Sequence, residues 1–395
     1  MPPKKPTAAT QPSSKPDMDN LLSYTIRTQT LLTQLLTSVT NPPTSIPTLP
    51  PDQRVLNPLT ILRDSGKLLH AHTTKLSLMI MNKPFGAKSM TAELKACVEK
   101  CIMGMMGAVD ILSCSWHPIS PNSDNPGSAD VSDQSIWGDM MIREARTRVA
   151  RVIREMLVMV QELRTLTETE AGILDSPSSD AVSQRDNLSS TGVVWEACDS
   201  LVALEKLSLP GLAVMKATQY HQTLKDALAE LKEWAEEVDG DEADFSDEGF
   251  SDEDDELDAI FGASKRLPKN DTALREQVER TNKKLSSIAV LYQALIKRRL
   301  KPFIFTFPPS AATEHTLLRR TKRLNQIIDE LKSIPDEVDE LAGALYELDG
   351  GSAEARLKNC IDMASEAAAL AKLNWDGQED EFTVWSGKWK GSVES

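Results

Sequence analysis

The chain has 395 residues, of which 40% are apolar, 26% charged and only 5% aromatic, a length and balance that fit two or three soluble domains with cores of their own. The net charge of −15 is concentrated in residues 236–258, which hold fourteen Asp and Glu and no Lys or Arg, so the remainder carries about −1. That distribution lacks the broad positive excess needed for direct nucleic-acid binding. No stretch approaches the ~20 apolar residues of a membrane span.

The N-terminal MPPKKPTAATQPSSKP has no apolar core and does not read as a secretory signal. Five cysteines, an odd number, fit reduced thiols in cytosol or nucleus. Eleven of the 22 prolines lie in the first 58 residues, and the rest are expected to mark helix ends or first turns. Between them the apolar residues, mostly Leu, Ala, Met and Val, recur with a helical period.

A first helix is expected over 17–39, with Leu22, Ile26, Leu32, Leu35, Leu36 and Val39 inward. Asn57-Pro58 reads as an N-cap and first helical proline, opening a helix to Met81 whose buried face is Ile61, Leu62, Leu69, Leu76, Met79 and Ile80. A third, over 89–115, carries Leu94, Cys97, Val98, Cys101, Ile102, Met105, Val109 and Leu112, with Gly104 and Gly107 allowing a close helix–helix approach. The fourth, over 136–166, puts Ile142, Ala145, Val149, Val152, Ile153, Met156, Val160 and Leu163 on one side, and Arg143, Arg146, Arg151 and Arg154 on the other. That arginine stripe is either a solvent face or a partner-binding face.

A Ser/Asp/Asn-rich linker follows, then helices over 192–207 and 210–238, separated at Ser208-Leu209-Pro210. Beyond the acidic segment come helices over 271–300, 313–333, 336–348 and 352–373, with Phe303 to Phe307 as an extended connector. The expected architecture is all-α. Two elongated helical bundles, 17–168 and 191–375, flank a linker at 169–190. A disordered tail occupies 1–16, a disordered acidic loop 239–258 lies between helices of the second bundle, and a tail 376–395 ends the chain.

Sites of chemistry are scarce. Gly86-Ala87-Lys88-Ser89 lacks the Gly-Lys pair of a phosphate loop, and protease, hydrolase and kinase motifs are absent. Cys97, Cys101, Cys114 and His117 have zinc-like spacing, but Cys97 and Cys101 fall on an apolar helix face, where free cysteine behaves as a small hydrophobe. His70 and His72 are two apart and do not share a helix face. No catalytic, cofactor or metal residue is assigned. Ser246 and Ser251, each followed by carboxylates, are phosphorylation candidates for acid-directed kinases. Lys297, Arg298 and Arg299, with Arg319, Arg320, Lys322 and Arg323, form two basic clusters that read as a nuclear import or docking patch, or as solvated helix ends.

Ser190-Thr191-Gly192-Val193-Val194-Trp195-Glu196-Ala197-Cys198-Asp199, together with Leu224-Lys225-Asp226-Ala227-Leu228, Glu233-Trp234 and the acidic segment, resembles the cyclin-D-binding protein family. Gly192, Trp195, Glu196 and Trp234 carry the motif. The resemblance implies a helical, non-enzymatic protein of cytoplasm and nucleus that binds D-type cyclins or helix-loop-helix factors and restrains cell-cycle entry. The proline-rich N-terminus and the tail with Phe382, Trp385 and Trp389 match nothing in that pattern; covering a bundle end is preferred over docking for those aromatics. The alternative is a cytoskeletal or adhesion-type helical rod adaptor.

Overall fold

The computed structural model describes residues 14–42, 55–81, 85–115, 135–173, 180–236, 267, 271–310 and 313–395, with backbone alone for 180–189. Among them the fold is all-α and contains no β-strand. In chain order the elements are α1 (Lys15–Thr40), α2 (Pro58–Met81), α3 (Ala87–Ala96), α4 (Met103–Ser113), α5 (Gly138–Glu170), α6 (Asp180–Glu236), α7 (Thr272–Leu295), α8 (Glu314–Tyr346), α9 (Gly350–Leu370) and α10 (Glu381–Glu394). A π turn, Cys97–Ile102, joins α3 to α4 in one run, and a second, Ile296–Leu300, extends α7. The chain divides into two compact units: Met1–Leu209 with Thr306–Leu318, and Pro210–Phe305 with Arg319–Ser395.

In the first unit α1 packs along α5, and α2 packs on α3, the π turn and α4. The buried faces of α5 and of the α3–α4 run are those the helical period predicts. The α1 face is rotated. Met18, Leu21, Thr25, Thr28, Leu32 and Val39 are buried, whereas Ile26 is 42% exposed and Leu22, Leu35 and Leu36 are only half-buried. Thr25 bonds its hydroxyl back to the Leu22 carbonyl, so it enters the core with its polar group satisfied. A stripe drawn from apolar residues alone misses it. On α2, Leu62, Leu69 and Leu76 are buried as expected, while Ile61, Met79 and Ile80 are half-buried.

Residues 191–209 belong to this first unit, not to the second as the sequence reading has it. The helix holding them also begins at Asp180, inside the expected linker. Extending a formed helix costs far less than nucleating one, so Ser and Asn of weak helix propensity join the element that follows. The expected break falls at Ser208, whose φ of 51° and ψ of −174° interrupt α6 just before Pro210.

The second unit packs α7 against α9 and α10. Pro335 does not end a helix there, since α8 runs through it. Proline has no N–H for the Leu331 carbonyl, and the buried Tyr292 hydroxyl of α7 supplies the donor instead. The C-terminal segment is a helix, not a tail. Asp380 accepts from the Phe382 and Thr383 amides, the Thr383 hydroxyl faces the Asp380 backbone, and the pair completes a capping box. Phe382 and Trp389 are buried against the bundle, the Trp389 indole donating to the Ser287 carbonyl at 2.9 Å.

Candidate interaction site

The motif segment of α6 is keyed into the first unit from two sides. Toward α2, Thr191 Oγ1 meets Ser77 Oγ at 3.1 Å, and Thr60 and Arg63 both donate to Glu205. Gly66 permits the close approach: a Cβ there would lie 3.1 Å from Val202 Cγ2 and 3.4 Å from the Cys198 carbonyl. Toward α5, Arg151 pairs with Glu196 at 3.0 Å, and Arg148 bonds both Glu144 and the Ser200 carbonyl. Trp195 stacks on His70 with centroids 5.0 Å apart and planes within 17°. Its indole N–H is buried and meets no acceptor among the described residues. Gly192 has open space where a Cβ would go, so packing does not require a glycine there. Trp234 belongs to the second unit, where its ring meets the edge of Tyr346 at 5.1 Å.

The arginine stripe on α5 is divided. Arg146 reaches across to Ser113 Oγ at 2.8 Å, and burial pulls its guanidinium below the ordinary value despite Asp110 and Asp139 nearby. Arg151 is committed to Glu196, while Arg143 and Arg154 are exposed. It is neither a bare solvent face nor an uninterrupted docking surface.

Cys97, Cys101 and Cys114 are free, buried thiols. Burial raises all three, Cys101 to about 11, so they are protonated at neutral pH and not poised as nucleophiles. Their spacing partner His117 lies outside the described residues. His70 stacks on Trp195, whereas His72 Nδ1 lies 2.8 Å from Glu93 Oε2; Lys75 also pairs with that carboxylate, binding α2 to α3. Among the described residues no group of three or more His, Cys, Asp or Glu is placed to hold a metal ion.

The two basic clusters meet around the segment joining α9 to α10. They are not simply solvated helix ends. Within the π turn, Arg299 is 1% exposed. It donates to Asp380 through both terminal nitrogens at 2.8 Å, and to the Ala371 and Lys372 carbonyls at 2.7 and 3.1 Å. Its guanidinium also lies 4.4 Å from the Phe382 ring centroid. These bonds hold the Asp380 carboxyl at about 2. Arg320 pairs with Asp376, and Arg323 donates to the Asn374 carbonyl while stacking over Trp375. The Trp375 indole returns a bond to the Arg299 carbonyl. Lys297, Arg298 and Arg319 remain exposed, and Lys322 is half-buried.

Lys297, Arg298, Arg299 and Arg320 surround a cavity of about 450 Å³, shared with Asp376, Asp380, Trp375 and Ile304. Beside it, Val290, Ala294, Phe382 and Trp385 line a groove of about 460 Å³ that has Lys297 and Arg298 in common with it. Sequence reading missed this convergence because it depends on a π turn and on a capped C-terminal helix. The Asp380-to-Thr383 capping pattern was the available signal. Ser246 and Ser251 lie outside the described residues.

Among the described residues no helix is long and apolar enough to cross a membrane. A protein of Schizosaccharomyces pombe, itself uncharacterized, is 24% identical over 345 residues, covering 86% of this chain and 85% of the relative. No solved structure matches the chain. Residues 131–237, which run from before α5 to the end of α6, match the family model described as Grap2 and cyclin-D-interacting, N-terminal. That span contains the interlocked α5–α6 pair and all four motif residues, so the match falls on the same stretch that carries the resemblance.

Proposed function

We propose that the protein is a non-catalytic helical adaptor that binds cyclins or helix-loop-helix-type factors and thereby restrains cell-cycle progression. The observation that carries this reading is the family match over 131–237, coinciding with a helix pair locked by Arg151–Glu196 and Arg148–Ser200. Long helices with polar outer faces suit recognition of partner helices and require no cleft for turnover.

The protein acts in cytoplasm and nucleus under this proposal. Phosphorylation at Ser246 and Ser251 would add about −1.5 to −2 charge each to a segment that is already acidic. Exposed Arg143 and Arg154 extend the α5 surface on which a partner would dock. Exposed Lys297, Arg298 and Arg319 are the basic residues left for an import receptor.

Titration of the purified full chain with a purified D-type cyclin tests the proposal. A saturable one-to-one complex supports it. Absence of binding, with co-sedimentation on actin filaments instead, replaces it with the rod-adaptor reading.

A further inference from the structure

The second unit carries an exposed surface that the family match does not cover. Its cavity brings four cations against two carboxylates, in a chain whose net charge is −15. Two of those cations are already matched, Arg299 by Asp380 and Arg320 by Asp376, and Arg298 reaches the exposed Glu381 at 2.9 Å. Lys297 is exposed and has no ion pair among the described residues. Cationic donor capacity thus exceeds what the protein itself uses. Immediately across Lys297 and Arg298 the lining is mixed: Val290, 51% exposed, and Trp385, its ring stacked toward Trp389, stand beside Gln293 and the Glu381 that Arg298 holds.

We propose that these two adjoining hollows form a docking site for an acidic segment of a protein partner, a carboxylate entering the Lys297–Arg320 cavity and a neighbouring large apolar side chain lying on Val290 and Trp385. Charge complementarity selects the acid, and the groove selects the apolar residue beside it. A nucleic acid fits less well, because a polyanionic backbone needs a broad positive surface and this chain is strongly acidic elsewhere. The pair of buried Arg299 with half-buried Asp380 acts as the floor: it holds the π turn and the start of α10 in register, so Lys297 and Trp385 are presented together. The site stands apart from the cyclin reading and survives if that reading fails.

Fluorescence polarisation with the full chain tests this, using a labelled peptide that alternates Glu and Asp with Leu and Phe, and a twin in which every acid is replaced by its amide. The acidic peptide is expected to bind and to weaken as salt rises, since exposed charges are screened over about 8 Å at physiological ionic strength. Lys297→Glu and Trp385→Ala should each weaken it about tenfold while leaving the circular dichroism unchanged. Equal binding of the amide twin, or full affinity in Lys297→Glu, overturns the proposal. Vesicles of phosphatidylserine competing better than the peptide would assign the site to a headgroup instead. Binding that emerges only after deletion of 239–258 would assign it to the chain's own acidic segment.

Discussion

The Tyr292 hydroxyl donates to the Leu331 carbonyl at 2.5 Å, the oxygen that Pro335 cannot serve from its place four residues along α8. A buried carbonyl without a donor costs about 1–3 kcal/mol, so this bond is what lets the helix continue. Burial holds Tyr292 far above the usual phenol range, so it remains a donor at any ordinary pH. Tyr292→Phe should lose about 1–2 kcal/mol of stability in urea unfolding. In a Pro335→Ala background an N–H serves Leu331, and the same change should cost much less. Equal costs in the two backgrounds would show that the hydroxyl does not replace the missing amide.

The Arg299–Asp380 pair makes a different prediction. Removing one partner of a buried ion pair leaves an uncompensated charge and costs about 3–5 kcal/mol. Asp380 is 35% exposed on its side chain, and Arg299 keeps its bonds to Ala371 and Lys372, so Asp380→Asn should fall at the lower end, about 3 kcal/mol. The pH dependence follows from the direction of the shift. Arg299 holds Asp380 at about 2, below its ordinary 3.8. The stabilisation is therefore complete above about pH 4 and is lost as the pH falls towards 2. The gap between wild type and Asp380→Asn, followed by hydrogen exchange of α10 amides, should close over that interval. A gap unchanged at pH 2 would contradict the assignment.

Much of this fold was legible from apolar spacing, and the exceptions share a cause. The faces of α5 and of the α3–α4 run repeat Val, Ile, Leu and Met at helical intervals, and those residues are buried. Thr25 on α1 hides its hydroxyl on its own helix, whereas Tyr292 beneath Pro335 and Arg299 within its π turn are polar groups satisfied by partners distant in sequence. No local pattern announces such a partner. The same holds for the candidate docking site: its cations were visible as two clusters, but Asp376 and Asp380, which draw them together, lie in what read as a tail, and Trp375 at the very end of the expected bundle. The motif helix was legible because Trp195 and Glu196 are adjacent in sequence, whereas His70 and Arg151, which hold them, are not.

Gly104 and Gly107, three residues apart on α4, should behave oppositely. A Cβ on Gly104 would stand 2.7 Å from Ser65 Oγ, so the close approach expected of both glycines is made by this one. Gly107 is exposed, with nothing within 4 Å of the same construction, and the structure corrects that half of the expectation. Gly107→Ala should stabilise by about 0.5–1 kcal/mol through helix propensity and a less flexible unfolded chain. Gly104→Leu overpacks the contact with α2 and should cost about 1–3 kcal/mol. Thermal unfolding of the two variants checks the contrast. Gly104→Ala should recover when Ser65→Ala removes the hydroxyl; failure to recover would mean that the obstruction lies elsewhere.

Ser208 carries the backbone strain of α6. Its φ of 51° with ψ of −174° is a conformation that side chains with a Cβ rarely adopt, at a cost of about 1–3 kcal/mol. The position precedes the Leu209–Pro210 step at which the two compact units divide. Pro210 has no N–H to serve the Lys206 carbonyl one turn back, so the helical ladder is interrupted here, and the non-helical backbone falls on Ser208. Ser208→Gly relieves the strain but loosens the unfolded chain, which offsets about 0.4–1 kcal/mol. The balance should be a gain of about 1 kcal/mol in chemical denaturation. Ser208→Val, branched at Cβ and intolerant of positive φ, should be destabilised instead. If glycine and valine shift the midpoint equally, Ser208 is not held in this conformation, and α6 bends by another route.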